Sequence, residues 1–262
     1  MADPELLYET DGPVAVVTFN RPQARNAMTW AMYDGLREAC DRVDADPDVR
    51  VMILRGAGGA AFVAGTDIGQ FRDFHTPEDA LAYERRLDGV MDRLEAVTLP
   101  TIAAIEGYAV GGGAAIAVAC DFRYCTPESQ IGVPIARTLG NCLSMANTAR
   151  LVELLGPART KDLIYRARLV GGEEALRAGL VNEVVPAAEL LTRAEAILRQ
   201  VFAQAPLAVK FSLEAVNKGM ETSQAEGMAL EASLFGLCAG TEDKQEGTRA
   251  FLQKRPPQFQ GR

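Results

Sequence analysis

Apolar residues along this chain keep two different rhythms. Short runs read as strands buried on both faces: Val14–Phe19, residues 50–54, residues 60–63, the run 99–107 entered through Pro100, and residues 121–125. Between them, apolar positions recur at helical spacing. Thr29 is a residue of N-cap type and predicts a helix from there to about Asp44. Residues 78–97 carry Leu81, Leu87, Val90, Met91 and Leu94 as one apolar stripe. Further on, 142–155, 161–167 and 173–178 read as helices, with a turn at Gly171-Gly172. Residues 131–141 read as irregular chain and 181–185 as an edge strand. From Ala187 the pattern is helical, punctuated by Pro206, Gly219 and Gly240. Repeated strand–turn–helix units followed by a purely helical end predict one α/β core, residues 1–200, and a helical C-terminal subdomain, residues 201–262.

One stretch interrupts this pattern in a way that points to chemistry. Tyr108-Ala109-Val110 is followed by Gly111-Gly112-Gly113 and then by an all-small apolar run to Cys120. Three glycines in a helix interior would each cost about 1 kcal/mol relative to Ala. They fit a strand that turns into a helix where a ligand approaches bare backbone. The first N–H groups of such a helix lack partners within it, and its dipole favours negative charge. A carbonyl that becomes an oxyanion is a suitable guest. A tight turn packed against a neighbouring strand fits the glycines equally well.

Composition narrows the field. With 27 basic and 35 acidic residues among 262 the formal net charge is −8, so no nucleic-acid footprint is present, and an anionic ligand needs a local basic cluster. The cysteines (Cys40, Cys120, Cys125, Cys142, Cys238) form no Cys-x-x-Cys pair, which argues against a zinc site or a disulfide framework and for a reducing compartment. The stretch Met1–Glu5 is acidic without a signal-like apolar core, and no apolar run reaches membrane-spanning length; the expectation is a cytoplasmic protein. Gly56-Ala57-Gly58-Gly59 invites a dinucleotide-binding reading, but those glycines lead back into a strand rather than opening a helix. The single histidine, His75, lies in a polar loop, and Gly-x-Ser-x-Gly is absent, so a serine-hydrolase triad is remote.

A second turn, Ala60-Ala61-Phe62-Val63-Ala64-Gly65-Thr66-Asp67-Ile68, joins the glycine stretch in resembling the crotonase (enoyl-CoA hydratase/isomerase) superfamily. Asn20-Arg21-Pro22 with Asn26-Ala27, Gly179-Leu180-Val181 with Val185-Pro186, and Glu246-Gly247 through Lys254-Arg255 match in the same order. The resemblance implies a spiral core of ββα turns with a helical C-terminal trimerisation subdomain, and a homotrimer or hexamer (a dimer of trimers). It implies an acyl-CoA substrate, with coenzyme A as part of the thioester and no permanently bound cofactor. By motif, two backbone N–H groups, of Thr66 and Gly112, would polarise the thioester carbonyl. Family members commonly carry Ala where Thr66 stands.

The family's hydratases add two glutamates that hold and activate water. The corresponding positions here are Ala115 and Ile135, neither of which can relay a proton. Crotonyl-type hydration is therefore not expected, and the acid/base candidates shift to Arg137 and Cys142, with Asn141, Arg86 and Tyr108 behind them. Each has a plain structural alternative, as a surface ion pair, a capping group or a small buried apolar residue. Coenzyme A contacts are expected from Arg21, Arg25, Ala27, Ala64, Asp67, Ile68 and Lys254, with Arg255 beside the last; arginine pairs bidentately with phosphate. Two functions follow: an enzyme acting on an acyl-CoA thioester, or a non-catalytic acyl-CoA binding protein of the same fold.

Overall fold

A computed structural model of the protein describes residues 3–72 and 74–262. The chain divides into two compact units, one ending at Ala194 and the other running from Glu195 to Arg262.

The first unit is built from strands that occur in consecutive pairs. Each of β3 (Val51–Gly56), β5 (Thr101–Ile105) and β7 (Phe122–Cys125) is followed after a short turn by β4 (Ala61–Val63), β6 (Tyr108–Val110) or β8 (Gln130–Gly132). The first member of each pair joins one sheet and the second joins another. The larger sheet has the order β1-β2-β3-β5-β7-β10, with β1 (Leu6–Asp11), β2 (Val14–Phe19) and β10 (Glu183–Val184); the smaller has the order β4-β6-β8-β9, with β9 (Leu169–Gly171). Neighbours are parallel except at β1–β2 and β8–β9. The helices α1 (Trp30–Ala45), α2 (Pro77–Glu95), α3 (Gly112–Ala119) and α5 (Met145–Tyr165) return the chain for the next turn, which is the expected spiral of ββα turns. Parallel strands covered on both faces are largely apolar, and β5 is buried at every residue. The core is dense around the Phe19–Phe62 edge-to-face pair, 5.4 Å between centroids, with Met28, Met32, Tyr33 and Leu36 from the first loop and α1.

Local chemistry accounts for the element boundaries. The Thr29 side chain accepts from the Met32 N–H and starts α1, and Thr76 with Asp79 forms a capping box on α2. Several boundaries differ from the sequence pattern. Residues 131–141 are not irregular throughout: they contribute to β8 and to the one-turn helix α4 (Ile135–Thr138). The next helix starts at Met145, capped by Ser144, so Asn141 and Cys142 lie outside it, and α5 runs through a kink at Gly156. Leu81 stands off the buried stripe of α2 and is half exposed, because the helix buries its face at Val90, Met91 and Leu94. The short helix α6 (Gly172–Ala178) then leads to β10.

The second unit is helical. It takes the end of α7 (Leu190–Phe202), then α8 (Pro206–Glu221), α9 (Gln224–Ala239) and α10 (Glu242–Leu252). Gly219 lies within α8 and does not interrupt it. After α10 the tail turns back onto its own helix: Arg255 pairs with Glu246, and the N–H groups of Gln260 and Gly261 donate to the Asp243 carboxylate. Among the described residues no helix is long and apolar enough to cross a membrane.

Candidate functional site

The loop after β2 holds the site's framework. Arg25 and Asn26 both adopt left-handed backbone conformations, φ 51° and 56°. Asn26, fully buried, accepts from the Arg21 N–H at 2.9 Å and donates to the carbonyls of Ala57 and Ala61 at 3.0 and 2.7 Å. It thereby pins this loop to the β3–β4 turn. Arg21 completes the clamp: its guanidinium donates to Ala27 O at 2.6 Å and meets Glu5 and Asp67, each at 3.0 Å. Each of its three guanidinium nitrogens has a carbonyl or carboxylate partner in this clamp. The Gly69 N–H and then Arg21 hold the Asp67 carboxyl below the usual carboxylate range.

The chain beyond β4 then pairs with Met28 as a one-residue parallel bridge. The Met28 N–H donates to Gly65 O at 2.8 Å, and the Asp67 N–H donates to Met28 O at 2.9 Å. In a parallel bridge, the residue between those two bonds turns its own N–H to the other side. Among the described residues the Thr66 N–H has no hydrogen-bond acceptor, nor does that of Gly112.

The glycine turn brings the second of these groups to the first. Gly111 has φ 57°, a conformation that side chains resist, and its N–H donates to Gly132 O at 3.0 Å. At Gly113 a Cβ would stand 2.0 Å from Val63 O, so only glycine allows α3 to start this close to β4. A Cβ on Gly112 would stand 3.7 Å from the Thr66 nitrogen. Two N–H groups without an acceptor among the described residues, one at the Met28 bridge and one at a helix start, therefore lie close together.

No ionisable side chain stands at the two positions where the resemblance looks for glutamates. Ala115 is buried in α3. On α4, the Cγ2 of Ile135 lies 3.6 Å from where a Cβ of Gly111 would be, which sets an apolar wall against the glycine turn. Arg137 and Cys142 are exposed, and among the described residues neither side chain has a hydrogen bond or an ion pair. Arg86 is not free: it chelates Asp34 at 2.7–2.8 Å and lies 4.3 Å over the Trp30 ring. Arg25 is exposed, 5.6 Å over Tyr108. Ile68 is exposed at the rim of the Thr66 turn, beside partly exposed Asp67, Ala64 and, across the bridge, Ala27. Lys254 lies in the second unit, exposed, with φ 53°, and the Arg255 guanidinium is engaged by Glu246 at 2.6 and 2.9 Å. His75 is exposed in the loop before α2.

The sequence reading missed Tyr33 and Tyr83. Their hydroxyls lie 2.8 and 2.9 Å from the Thr66 hydroxyl. Tyr33 reads in sequence as a core aromatic of α1, and Tyr83 falls outside the apolar stripe of α2.

Comparison with known proteins finds matches along nearly the whole chain. The family model described as enoyl-CoA hydratase/isomerase matches residues 9–262. A protein named crotonyl-CoA hydratase from Syntrophomonas wolfei is 38% identical over 259 residues, 99% of each chain. A short-chain-enoyl-CoA hydratase from Clostridium acetobutylicum is 38% identical over 250 residues, 95% of each chain. Among solved structures, an enoyl-CoA hydratase from Bacillus anthracis superposes with a TM-score of 0.90 at 30% identity, covering 98% of this chain and 100% of the other. Another, from Geobacillus kaustophilus, gives 0.91 at 33% identity, covering 98% of each chain. With the spiral of ββα turns, the two facing turns and a match along nearly its whole length, the chain belongs to the enoyl-CoA hydratase/isomerase family of the crotonase superfamily.

Proposed function

We propose that the protein acts on an acyl-CoA thioester whose carbonyl oxygen is held by the N–H groups of Thr66 and Gly112. The observation that carries this reading is the pair of adjacent, unpartnered backbone donors. Such donors stabilise an enolate or tetrahedral oxyanion more than the ground-state carbonyl, and losing one typically costs about 3 kcal/mol of barrier. Around them, Ala64, Asp67, Ile68 and Ala27 form the rim that meets coenzyme A, with Arg25 as a phosphate partner. Arg25 suits the role because its guanidinium is exposed and stacked rather than chelated. Arg137 and Cys142, carried just beyond Ile135, are the acid/base candidates and are tested by replacing each with Ala.

Calorimetric titration with coenzyme A and acetyl-CoA tests the reading. Saturable binding of the thioester is expected, and no binding of either at millimolar concentration refutes it. The apolar pair Ala115 and Ile135 fits a second reading as well, a binding protein without turnover, although the glycine turn and the Thr66 turn favour the enzyme. Steady-state assays over a panel of CoA thioesters separate the two.

The second unit serves as the oligomerisation surface in this reading, giving a homotrimer or a dimer of trimers. Val216, Phe235, Leu237, Phe251 and Leu252 are more than half exposed on its helices, more apolar surface than a small helical unit leaves to water. Light scattering should give three or six times the 28.1 kDa chain mass, and a monomer at micromolar concentration contradicts the assignment.

A further inference from the structure

The Thr66 hydroxyl, which replaces the family's usual methyl, stands between two phenols. Its Oγ1 lies 2.8 Å from Tyr33 Oη on α1 and 2.9 Å from Tyr83 Oη on α2. Among the described residues none of these three hydroxyls has any other hydrogen-bond partner. Three hydroxyl protons are thus available for two hydrogen bonds, and one proton is left over.

Chemistry decides which one. A phenol is the stronger acid and donates better than an aliphatic alcohol, whereas the threonine oxygen offers two lone pairs. In the arrangement this favours, both tyrosines donate into Thr66, and the Thr66 proton is the one without an acceptor. Burial raises the phenol pKa of Tyr33 and of Tyr83, which keeps both as neutral donors rather than phenolate bases. Neither ring can swing aside. Tyr33 is fully buried, and Tyr83 packs against Trp30, Phe71 and Phe74 with centroids 5.5, 5.0 and 5.6 Å away.

The cluster also lies against Gly112, which carries the second backbone donor. A Cβ on Gly112 would stand 2.8 Å from Tyr33 Oη and 3.5 Å from Thr66 Oγ1. We propose that the Thr66 hydroxyl is a third hydrogen-bond donor to the thioester oxygen, with Tyr33 and Tyr83 as positioning residues that fill its lone pairs and free its proton. This rests on the two-donor reading of Thr66 and Gly112 given above. Accepting two bonds polarises the Thr66 O–H and makes it a stronger donor. Because the phenols stay neutral, the site holds an anionic oxygen without protonating it.

A conjugated thioester, hexadienoyl-CoA, is the probe, since its absorption moves to longer wavelength as its carbonyl is polarised. Wild-type protein should shift the bound spectrum. Thr66→Val should bind within about tenfold, the weight of one hydrogen bond, yet lose part of the shift, and Thr66→Ser should restore it. Tyr83→Phe should lose a smaller part in the same direction, and it carries the test if Thr66→Val does not fold. A full shift in Tyr83→Phe together with a full shift in any folded Thr66→Val overturns the proposal while leaving the two-donor reading intact. An unshifted or unbound ligand in the wild-type protein removes that reading and overturns the proposal with it.

Discussion

Replacing Asn26 by Ala should unfold the first unit far more readily than its size implies. The side chain makes three hydrogen bonds, to Arg21 N–H, Ala57 O and Ala61 O, at 2.7–3.0 Å, and the residue is fully buried. Each such bond contributes a net 0.5–1.5 kcal/mol or so, and the bond to the Ala61 carbonyl is buried, so that carbonyl is left without a partner. Alanine must also hold φ 56°, which favours asparagine over other side chains. Three bonds at about 1 kcal/mol each set the expected loss at about 3 kcal/mol. Trp30, the chain's single tryptophan, lies a few residues along the same segment, so its fluorescence reports on this unit. With a urea slope of about 3 kcal/mol/M, the transition should fall by about 1 M. Asn26→Asp sharpens the test: it keeps the acceptor but turns a carboxylate oxygen towards two carbonyls, and should be at least as damaging. A midpoint unchanged in Asn26→Ala, or an Asp variant as stable as wild type, would refute the assignment of Asn26 as the tie between the loop and β4.

Three further outcomes follow from the same contacts. Arg255 and the Gln258 N–H hold the Glu246 carboxyl at about 2, below its ordinary value of 4.5. Its folded pKa is the lower one, so the contribution to holding the tail is complete above about pH 4.5 and is lost as pH falls towards 2; the Gln258 amide shift of the folded protein should titrate with its midpoint near 2, and a midpoint near 4.5 contradicts it. Cys142 is exposed, whereas burial pushes the Cys40 and Cys125 thiols up to about 12; mass spectrometry after brief alkylation at neutral pH should find Cys142 modified and these two intact, and early labelling of Cys40 would argue against its burial. Finally, general acid–base groups contribute about 10²–10⁴-fold each, so wild-type hydration of crotonyl-CoA should be very slow and Ala115→Glu with Ile135→Glu should raise it; brisk wild-type hydration would point to a substitute base.

The parts of the fold visible in the sequence are those where one segment decides its own state. Val14–Phe19 is continuous enough in apolar residues to announce β2, and Thr29 marks the start of α1 through a bond to its own helix. The strands β6, β8 and β9 are three residues long and exist because a neighbour pairs with them, which no local pattern records. Ser144 was a readable cap, with Asn147 three residues on, and would have placed the start of α5 correctly. The site divides along the same line. Its glycines are legible because backbone geometry demands them. The Tyr33–Thr66–Tyr83 cluster is not, because its members come from three elements and meet only after the spiral has closed.

That spiral also acts as a ruler. The Thr66 turn follows β4 and the Gly111–Gly113 turn follows β6, and the two strands are parallel neighbours in one sheet. The gap between the two turns is therefore inherited from the spacing of hydrogen-bonded strands, about 4.8 Å in any sheet. Exchanging side chains at Ala115 or Ile135 leaves that gauge untouched, because no side chain sets it. Adding one residue between Val63 and Thr66 would change it at once. A lineage with this architecture is free to rewrite its acid/base groups while the distance between its two backbone turns stays fixed.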